Sequence, residues 1–213
     1  MKLSVFRLIG GVCLSGALSV AATAQAQDIA LTVDAGLRTM TNSPDTQKAI
    51  FDNKQKVAFG VGLSLDHGEH LRFGVEGRRV SWDGERAFAA DRNSPAFRLG
   101  HPLEFKMTQA LATVGYRFRK FGPVSPYVTA AGGVASWKEE STIAGLVESD
   151  SGTSGLFEGR LGFEKQQGHV RLALEGGITF IPGAVGVGGV SAIYEEKDLG
   201  GLFVVAKIGF SRK

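Results

Sequence analysis

Eight segments of this chain alternate apolar and polar residues with a period of two, and this pattern constrains the fold more than any other feature of the sequence. In the first segment, Ile29, Leu31 and Val33 alternate with Thr32 and Asp34. Successive side chains of a β-strand point to opposite faces, so each segment predicts a strand with one apolar and one polar face. No helical periodicity of comparable length accompanies them. We therefore predict an all-β chain whose eight strands cover residues 28–40, 56–65, 71–82, 105–118, 127–137, 157–164, 170–180 and 202–210.

Three segments are less regular than the others. In the third segment, the apolar residues move from the parity of Val75 to that of Val80 and Trp82, which predicts a β-bulge near Arg78-Arg79. The fourth segment changes parity in the same way upstream of Ala110. The fifth has small residues on both faces, and we assign its outer face to Tyr127, Thr129, Ala131, Gly133, Ala135 and Trp137.

The connections between the strands alternate in length. Three are short and contain glycine, at Gly68, Gly122 and Gly168, as tight hairpins require. Eight up-and-down strands with short turns at one end and long loops at the other describe an outer-membrane β-barrel. An even strand number then places both chain ends on the periplasmic side, with the loops extracellular. The four long connections cover residues 41–53, 83–103, 138–154 and 182–198.

The alternation alone does not say which face meets lipid. A soluble lipocalin-like barrel would bury the apolar face around a ligand and keep the polar face in water. Ions of both signs at mid-strand on the polar faces favour lipid outside instead. Tyr127 and Trp137 are ten residues apart, which spans roughly 25 Å in a tilted strand, the height of an outer-membrane apolar band. We predict an interfacial aromatic girdle of Trp82, Tyr116, Phe118, Tyr127, Trp137, Phe180 and Phe210.

The N-terminus has the layout of a secretory signal peptide. Lys2 and Arg7 precede an apolar run too short to span a membrane, and Ala24-Gln25-Ala26 supplies the small residues of a cleavage site. We predict a cleaved signal over residues 1–26 and an outer-membrane barrel domain over residues 27–213 of a Gram-negative cell. The one cysteine excludes an internal disulfide framework, and a net charge of +3 gives no indication of a nucleic-acid partner.

The layout resembles the small outer-membrane β-barrel family typified by the transmembrane domain of outer membrane protein A. The resemblance covers residues 28–213 and rests on Ser125-Pro126-Tyr127-Val128 at the start of the fifth strand and on the final strand that ends in Phe210. Such barrels usually end on the aromatic residue, whereas Ser211-Arg212-Lys213 follows it here. The resemblance implies a monomer that contacts outer-membrane lipid, lipopolysaccharide and the barrel-assembly machinery, without a cofactor. We do not extend the resemblance to peptidoglycan binding, because we expect no periplasmic peptidoglycan-binding domain after the barrel.

An eight-stranded barrel has an interior that side chains fill, so a wide diffusion pore is excluded by size. Ions inside it must pair, because an unpaired buried charge costs several kcal/mol. The alternation predicts either a closed, salt-bridged interior or a narrow gated ion path, and the first is favoured. We predict an interior ion-pair cluster of Asp34, Glu76, Arg117, Arg160, Glu175 and Lys207.

Two functions remain open at this stage. The first is a non-enzymatic integral outer-membrane protein that acts in envelope structure or surface contacts, with at most a narrow pore. The second is an outer-membrane lipid-modifying hydrolase, for which only His101, with Ser94 and Asp91 nearby in sequence, lies in an extracellular loop. The turn Asp66-His67-Gly68-Glu69-His70 contains four side chains able to bind a metal, but aspartate and glycine are ordinary turn residues. We predict no catalytic residue, no cofactor and no metal site.

Overall fold

The computed structural model describes residues 28–52, 54–143, 145–185 and 190–212. Each strand pairs antiparallel with the next along the chain, and the first pairs with the last to close a barrel, which confirms the predicted fold. The predicted signal peptide lies outside the described residues. The strands are β1 (Asp28–Arg38), β2 (Lys56–His67), β3 (Leu71–Phe88), β4 (Phe97–Arg117), β5 (Ser125–Ile143), β6 (Leu146–Gln167), β7 (Val170–Phe180) and β8 (Gly201–Arg212), and the helices are α1 (Pro44–Phe51) and α2 (Val190–Tyr194).

The two ends of the barrel differ in their connections. The turn end, as we name it, holds the start of β1, the last residues of β8 and three short turns. Gly68, Gly122 and Gly168 adopt φ angles of 64°, 61° and 59° in these turns, which glycine does at little cost. The opposite end, which we name the lid end, holds both helices. Within the described ranges, neither helix is long and apolar enough to cross a membrane.

Two of the four predicted loops consist largely of strand. Strand β3 continues to Phe88 and β4 begins at Phe97, both inside the predicted loop 83–103. Strands β5 and β6 meet in a turn around Gly145 (φ 83°), so the predicted loop 138–154 is wrong. These extensions escape a search for apolar alternation because both faces of a hairpin can be polar where no hydrocarbon contacts it.

The barrel wall reverses its polarity along β3 and β4. Toward the turn end, Val75 lies on the exposed outer face, and the carboxylate of Glu76 lies inside. Toward the lid end, Arg79 is on the outer face, whereas Trp82 and Phe105 are fully buried inside. The part of the wall near the turn end, which we call the lower part, therefore has the outer face of a membrane-embedded barrel. The part near the lid end, the upper part, has the pattern of a water-soluble barrel.

This reversal explains the change of parity in the sequence without a bulge. The register of β3 and β4 is continuous from Leu71 to Glu85 on β3, and its shift falls between Glu85 and Ala87. The predicted bulge at Arg78-Arg79 is therefore wrong. The strand keeps its phase, and the apolar residues change sides because the surroundings of the wall change.

An apolar core fills the upper part of the barrel, and α1 closes it as a lid. The ring of Phe51, the last residue of α1, lies 6.3 Å from both Trp82 and Phe105, whose own rings are 5.7 Å apart. Rings at these separations add attraction beyond the area they bury. The lid core, as we name this cluster, includes Met40, Ile50, Phe51, Trp82, Leu103, Phe105, Met107, Leu156, Ile181, Val190 and Leu199.

Contacts at both of its ends hold α1 in place. The Glu196 carboxylate accepts hydrogen bonds from the backbone N–H groups of Asp45 and Thr46, at 3.1 and 2.8 Å. At the other end, Nε of Arg98 donates to the carbonyl of Ala49 at 3.1 Å. A helix of eight residues is marginal by itself in water, so these contacts and the lid core stabilise it. A period-two pattern does not indicate such a helix.

Three residues of the predicted aromatic girdle lie inside the barrel. Trp82 is in the lid core, Trp137 packs against that core, and Tyr127 is only 5% exposed. The outer face that we predicted for β5 is thus its inner face, and the predicted 25 Å band between Tyr127 and Trp137 is wrong. Alanine and glycine on both faces of β5 left the two faces indistinguishable by hydropathy. The other four residues of the predicted girdle are exposed, namely Tyr116, Phe118, Phe180 and Phe210.

The lid core gives a test of this part of the fold. Replacing Phe51 with alanine removes a buried ring from three-way aromatic contact and leaves a cavity, which should lower the free energy of unfolding by about 3–5 kcal/mol. Urea unfolding followed by tryptophan fluorescence measures this change, because both tryptophans lie at the lid end. Phe121→Ala is the control, since Phe121 is 82% exposed at a short turn. Equal stability of the two variants would contradict the packing.

Candidate functional site

The interior below the lid core contains a neutral cluster of ions, which we name the central cluster. Its members come from five of the eight strands and point inward by the alternation of each strand. The cluster contains as many cations as carboxylates, so burial of the whole set leaves no net charge. Its residues are Asp34, Arg38, Glu76, Arg78, Glu158, Arg160, Glu175 and Lys207.

Arg160 lies at the middle of this network. Its Nε donates to Glu158 at 2.6 Å, and its Nη1 lies 2.8 Å from Glu76 and 3.5 Å from Glu175. Lys207 Nζ lies 2.8 Å from both Glu76 and Glu175. Glu76 also pairs with Arg78 at 2.8 Å, so it contacts three cations and Glu175 contacts two. Removing either carboxylate would leave more than one charge short of a partner.

The upper edge of the central cluster contacts both polar and aromatic groups. Arg38 donates to Gln109 and Thr179, both at 2.6 Å, and lies 3.2 Å from Glu158. Its guanidinium also sits 5.3 Å from the centre of the Phe203 ring, within range of a cation–π interaction. Phe203 therefore separates the ionic part of the interior from the apolar part above it.

A second group of ions, the turn-end cluster, lies nearer the turn end. Asp66 contacts Arg72 at 2.7 Å, Arg117 at 2.8 Å and Arg171 at 2.5 Å. Glu164 pairs with Arg72 at 2.7 Å. These three arginines and two carboxylates give the turn-end cluster one excess positive charge. We predicted Arg117 as part of a single interior cluster, but its partners are Asp66 and Glu164 in this second group.

Tyr127 and a small cavity connect the two clusters. The hydroxyl of Tyr127 donates to Glu175 at 2.8 Å, and the guanidinium of Arg72 lies 5.7 Å from the centre of the same ring. Beside them is a cavity of about 40 Å³, lined by residues of both clusters. That volume has room for about one water molecule. Charged side chains, a tyrosine and a little space for water therefore occupy the interior below the lid core.

Asp34 is the least well paired member of the central cluster. Its side chain is buried, and its closest cationic atom is Nε of Arg78 at 3.8 Å. Neither carboxylate oxygen has a hydrogen bond within the described part of the chain. Gly60 faces it across the β1–β2 pair, and a Cβ at that position would come within 2.6 Å of both oxygens. The glycine therefore leaves the space that this carboxylate occupies.

Five of the six predicted cluster residues lie together in the central cluster, and three of its members were missed. Arg38 and Glu158 have the inward parity of their strands, and that parity was the signal that could have found them. Arg78 was missed because we placed a bulge at that point. The sequence pattern therefore located the ionic layer, but not all of its members.

Two of the three residues considered for catalysis are in contact, but within the described part of the chain no hydrogen bond joins the histidine to them. Ser94 donates through its hydroxyl to Asp91 at 2.7 Å, and this bond lowers the pKa of that exposed carboxyl. His101 is on β4, and no hydrogen bond joins it to Ser94 or Asp91 in the described ranges. A nucleophile needs a base within hydrogen-bond reach, so this set does not form a catalytic triad.

The predicted turn at residues 66–70 has structural contacts. Asp66 is held by three arginines of the turn-end cluster, and Nδ1 of His70 is 2.8 Å from the carbonyl oxygen of Arg117. In the part of the chain that the structure describes, no three histidine, cysteine or acidic side chains are grouped closely enough to hold a metal ion.

Comparison with known proteins agrees with this architecture. The sequence profile of the outer membrane protein beta-barrel domain matches residues 11–181, most of the chain. The chain belongs to that family. A search of curated protein sequences finds no significant match.

Two solved structures show the same fold at low sequence identity. Neisserial surface protein A is 15% identical, with a TM-score of 0.54, and the match covers 87% of this chain and 99% of that one. A major outer membrane protein from Thermus thermophilus is 10% identical, with a TM-score of 0.58, and the match covers 88% and 100% of the two chains. Family membership places this barrel in the Gram-negative outer membrane, as predicted.

The central cluster makes a quantitative prediction for Glu175. Replacing it with alanine removes a partner from Arg160, Lys207 and Tyr127 at once, which should destabilise the barrel by about 3–5 kcal/mol. Heat-modified gel mobility and melting in detergent measure this loss. Glu195→Ala is the control, because the Arg92–Glu195 pair is exposed and such pairs contribute about 0–1 kcal/mol. If Glu175→Ala melted like the parent protein, the interior assignment would be wrong.

Proposed function

We propose that this protein is a non-enzymatic, closed outer-membrane barrel. Its longer strands, β3 to β6, extend beyond the membrane as a raised sheet that makes contacts at the cell surface. The observation that carries the proposal is the filling of the interior, ionic below and apolar above. A conducting path would have to cross two ion clusters and then the lid core. Among the described residues, no hydrogen bond joins His101 to Ser94 or Asp91, which argues against the alternative, a lipid-modifying hydrolase.

The length of the strands supports the raised sheet. Strands β1, β2, β7 and β8 have 11 or 12 residues, about what is needed to cross an outer membrane. Strands β3 to β6 have 18, 21, 19 and 22 residues. At about 3.3 Å per residue and a tilt near 40°, the extra residues raise this half of the wall by roughly 20–25 Å.

The orientation follows from the connections. Short turns of outer-membrane barrels face the periplasm and long loops face outward. We therefore assign the turn end, with both ends of the described chain, to the periplasm and the lid end to the outside. Phe210, exposed on the outer face of β8, supplies the aromatic residue that we expect the assembly machinery to read. We expect the protein to be a monomer.

The tips of the raised sheet have the character of a contact surface. Phe88 and Phe97 face each other at the β3–β4 tip, and both are exposed. Leu146 and Val147 are exposed at the β5–β6 tip. Large apolar side chains grouped on a surface that faces water are typical of interaction sites.

Conductance and lipid hydrolysis test the closed, non-enzymatic part of the proposal. In planar bilayers we expect no steps above the baseline, because the described interior is packed. Incubation with lipid A or phospholipid should release no fatty acid. Conductance would contradict closure, and fatty-acid release abolished by His101→Ala would favour the hydrolase.

Adherence tests the contact surface. The combined variant Phe88→Ser, Phe97→Ser, Leu146→Ser and Val147→Ser should lower the adherence of cells that display the protein to protein-coated surfaces about tenfold. A tenfold loss corresponds to roughly 1.4 kcal/mol of binding free energy. The matched control is Ser149→Ala with Ser151→Ala, at exposed polar positions on the same tip. Unchanged adherence of the four-serine variant would overturn this part of the proposal.

A further inference from the structure

The outer face of β3, β4 and β5 changes from apolar to polar over two residues along each strand. Gly77, Ala110 and Val134 are register partners across the three strands. The next outward row toward the lid end consists of Arg79, Thr108 and Ser136, which are also register partners. An arginine and two hydroxyl groups therefore stand directly above small apolar side chains at the edge of the membrane-facing wall.

The row above this one contains two lysines. Lys106 and Lys138 are register partners on β4 and β5, and Ser81 on β3 faces Lys106. Same-face residues along a strand are about 7 Å apart and neighbouring strands about 5 Å apart, so Lys106 lies diagonally next to Arg79. Three cations thus lie within reach of a single headgroup.

These cations occur on one side of the barrel only. Among the described residues of the other five strands, no lysine or arginine has the outward parity toward the lid end, although Nζ of Lys56 at the start of β2 lies 2.9 Å from the exposed Asp83 of β3. On β1, β7 and β8 the outer face ends near the lid in apolar residues, for example Leu37, Phe180 and Leu202. The charge is therefore a local feature and not a ring around the rim.

Of the three cations, Arg79 is unpaired among the described residues, and the two lysines have partly exposed carboxylate partners. Arg79 has no ion pair or hydrogen bond from its side chain in the described part of the chain. Lys106 pairs with Glu104 at 2.7 Å and Lys138 with Glu140 at 2.8 Å, but these pairs lie on the exposed outer face. Surface pairs of this kind contribute about 0–1 kcal/mol, so a phosphate with several oxygens can displace them.

The wall below the cations suits the rest of a lipid. Gly77 and Ala110 project almost nothing from the wall, whereas the opposite side has leucine, valine and isoleucine side chains at the same outer face. Acyl chains can lie flat against the smooth part while the headgroup reaches the row above. Thr108 and Ser136 add two hydroxyl groups to the same row as Arg79, and these can hydrogen-bond to a sugar headgroup.

We propose that Arg79, Lys106 and Lys138 form a binding site for a phosphorylated glycolipid of the outer leaflet, with its phosphates on the three cations. Clusters of lysine and arginine at a membrane surface bind anionic headgroups in this way. The site fixes lipid on the β3–β5 side, at the foot of the raised sheet. It depends on the outward orientation of the lid end, but not on the absence of an enzymatic activity or on adherence.

The test compares lipid retention by protein purified from outer membranes. The probe is lipid A with two phosphates, with dephosphorylated lipid A and phosphatidylglycerol as comparison lipids, and native mass spectrometry counts the bound molecules. The site variant replaces Arg79, Lys106 and Lys138 with serine. We expect it to bind bisphosphorylated lipid A about tenfold more weakly than the parent, and the parent to bind dephosphorylated lipid A equally weakly.

The matched control removes three cations from the turn end, by serine at Arg119, Lys120 and Lys165, all exposed. Its total charge equals that of the site variant. If the position of the cations determines lipid binding, this control should bind lipid A as the parent protein does. Equal loss in both variants, parental binding by the site variant, or equal retention of phosphatidylglycerol would each overturn the proposal. Heat-modified gel mobility verifies folding, and Arg79→Ser alone, with a smaller loss expected, serves if the triple variant does not fold.

Discussion

In a hydrocarbon layer the backbone N–H and C=O groups have no water to bond, and this constraint determines the rest of the structure. A sheet meets it only by closing on itself, as β1 and β8 do here. Closure with eight strands leaves an interior as narrow as side chains themselves. Charges placed there are balanced mainly by other inward-facing residues, as in the neutral central cluster, where Glu76 contacts three cations and Glu175 contacts two.

Much of this arrangement could be predicted from the sequence. A lipid-facing strand must be apolar on one side along its whole span, so alternation identified all eight strands and the inward position of residues such as Glu175 and Lys207. The aromatic girdle was harder to predict from the sequence. Tryptophan and tyrosine are enriched at membrane interfaces, but they also fill a core. Trp82 and Tyr127 have opposite surroundings from those predicted because hydropathy alone does not distinguish the two.

The upper part of the barrel could not be inferred by the same logic. Once the wall leaves the hydrocarbon, the outer face is polar and the inner face is apolar. The change of parity at Val80 and Trp82 therefore has the same sequence pattern as a bulge in a wall with a single environment. The lid helix depends on distant partners, such as Glu196 and Arg98, that sequence proximity does not indicate. The raised sheet and the group of outer cations likewise depend on strands that come together only in the fold.

The reversal of polarity along β3 and β4 also determines how deep the barrel lies in the membrane. A shift of two residues in the direction of the turn end would draw Arg79 and the hydroxyl groups beside it into hydrocarbon. The opposite shift would lift apolar residues such as Val75 out of lipid. Both displacements cost free energy, so the polarity of the wall fixes the depth of the barrel in the membrane. The height of the raised sheet above the surface is therefore a property of the fold itself and does not require an anchor elsewhere in the envelope.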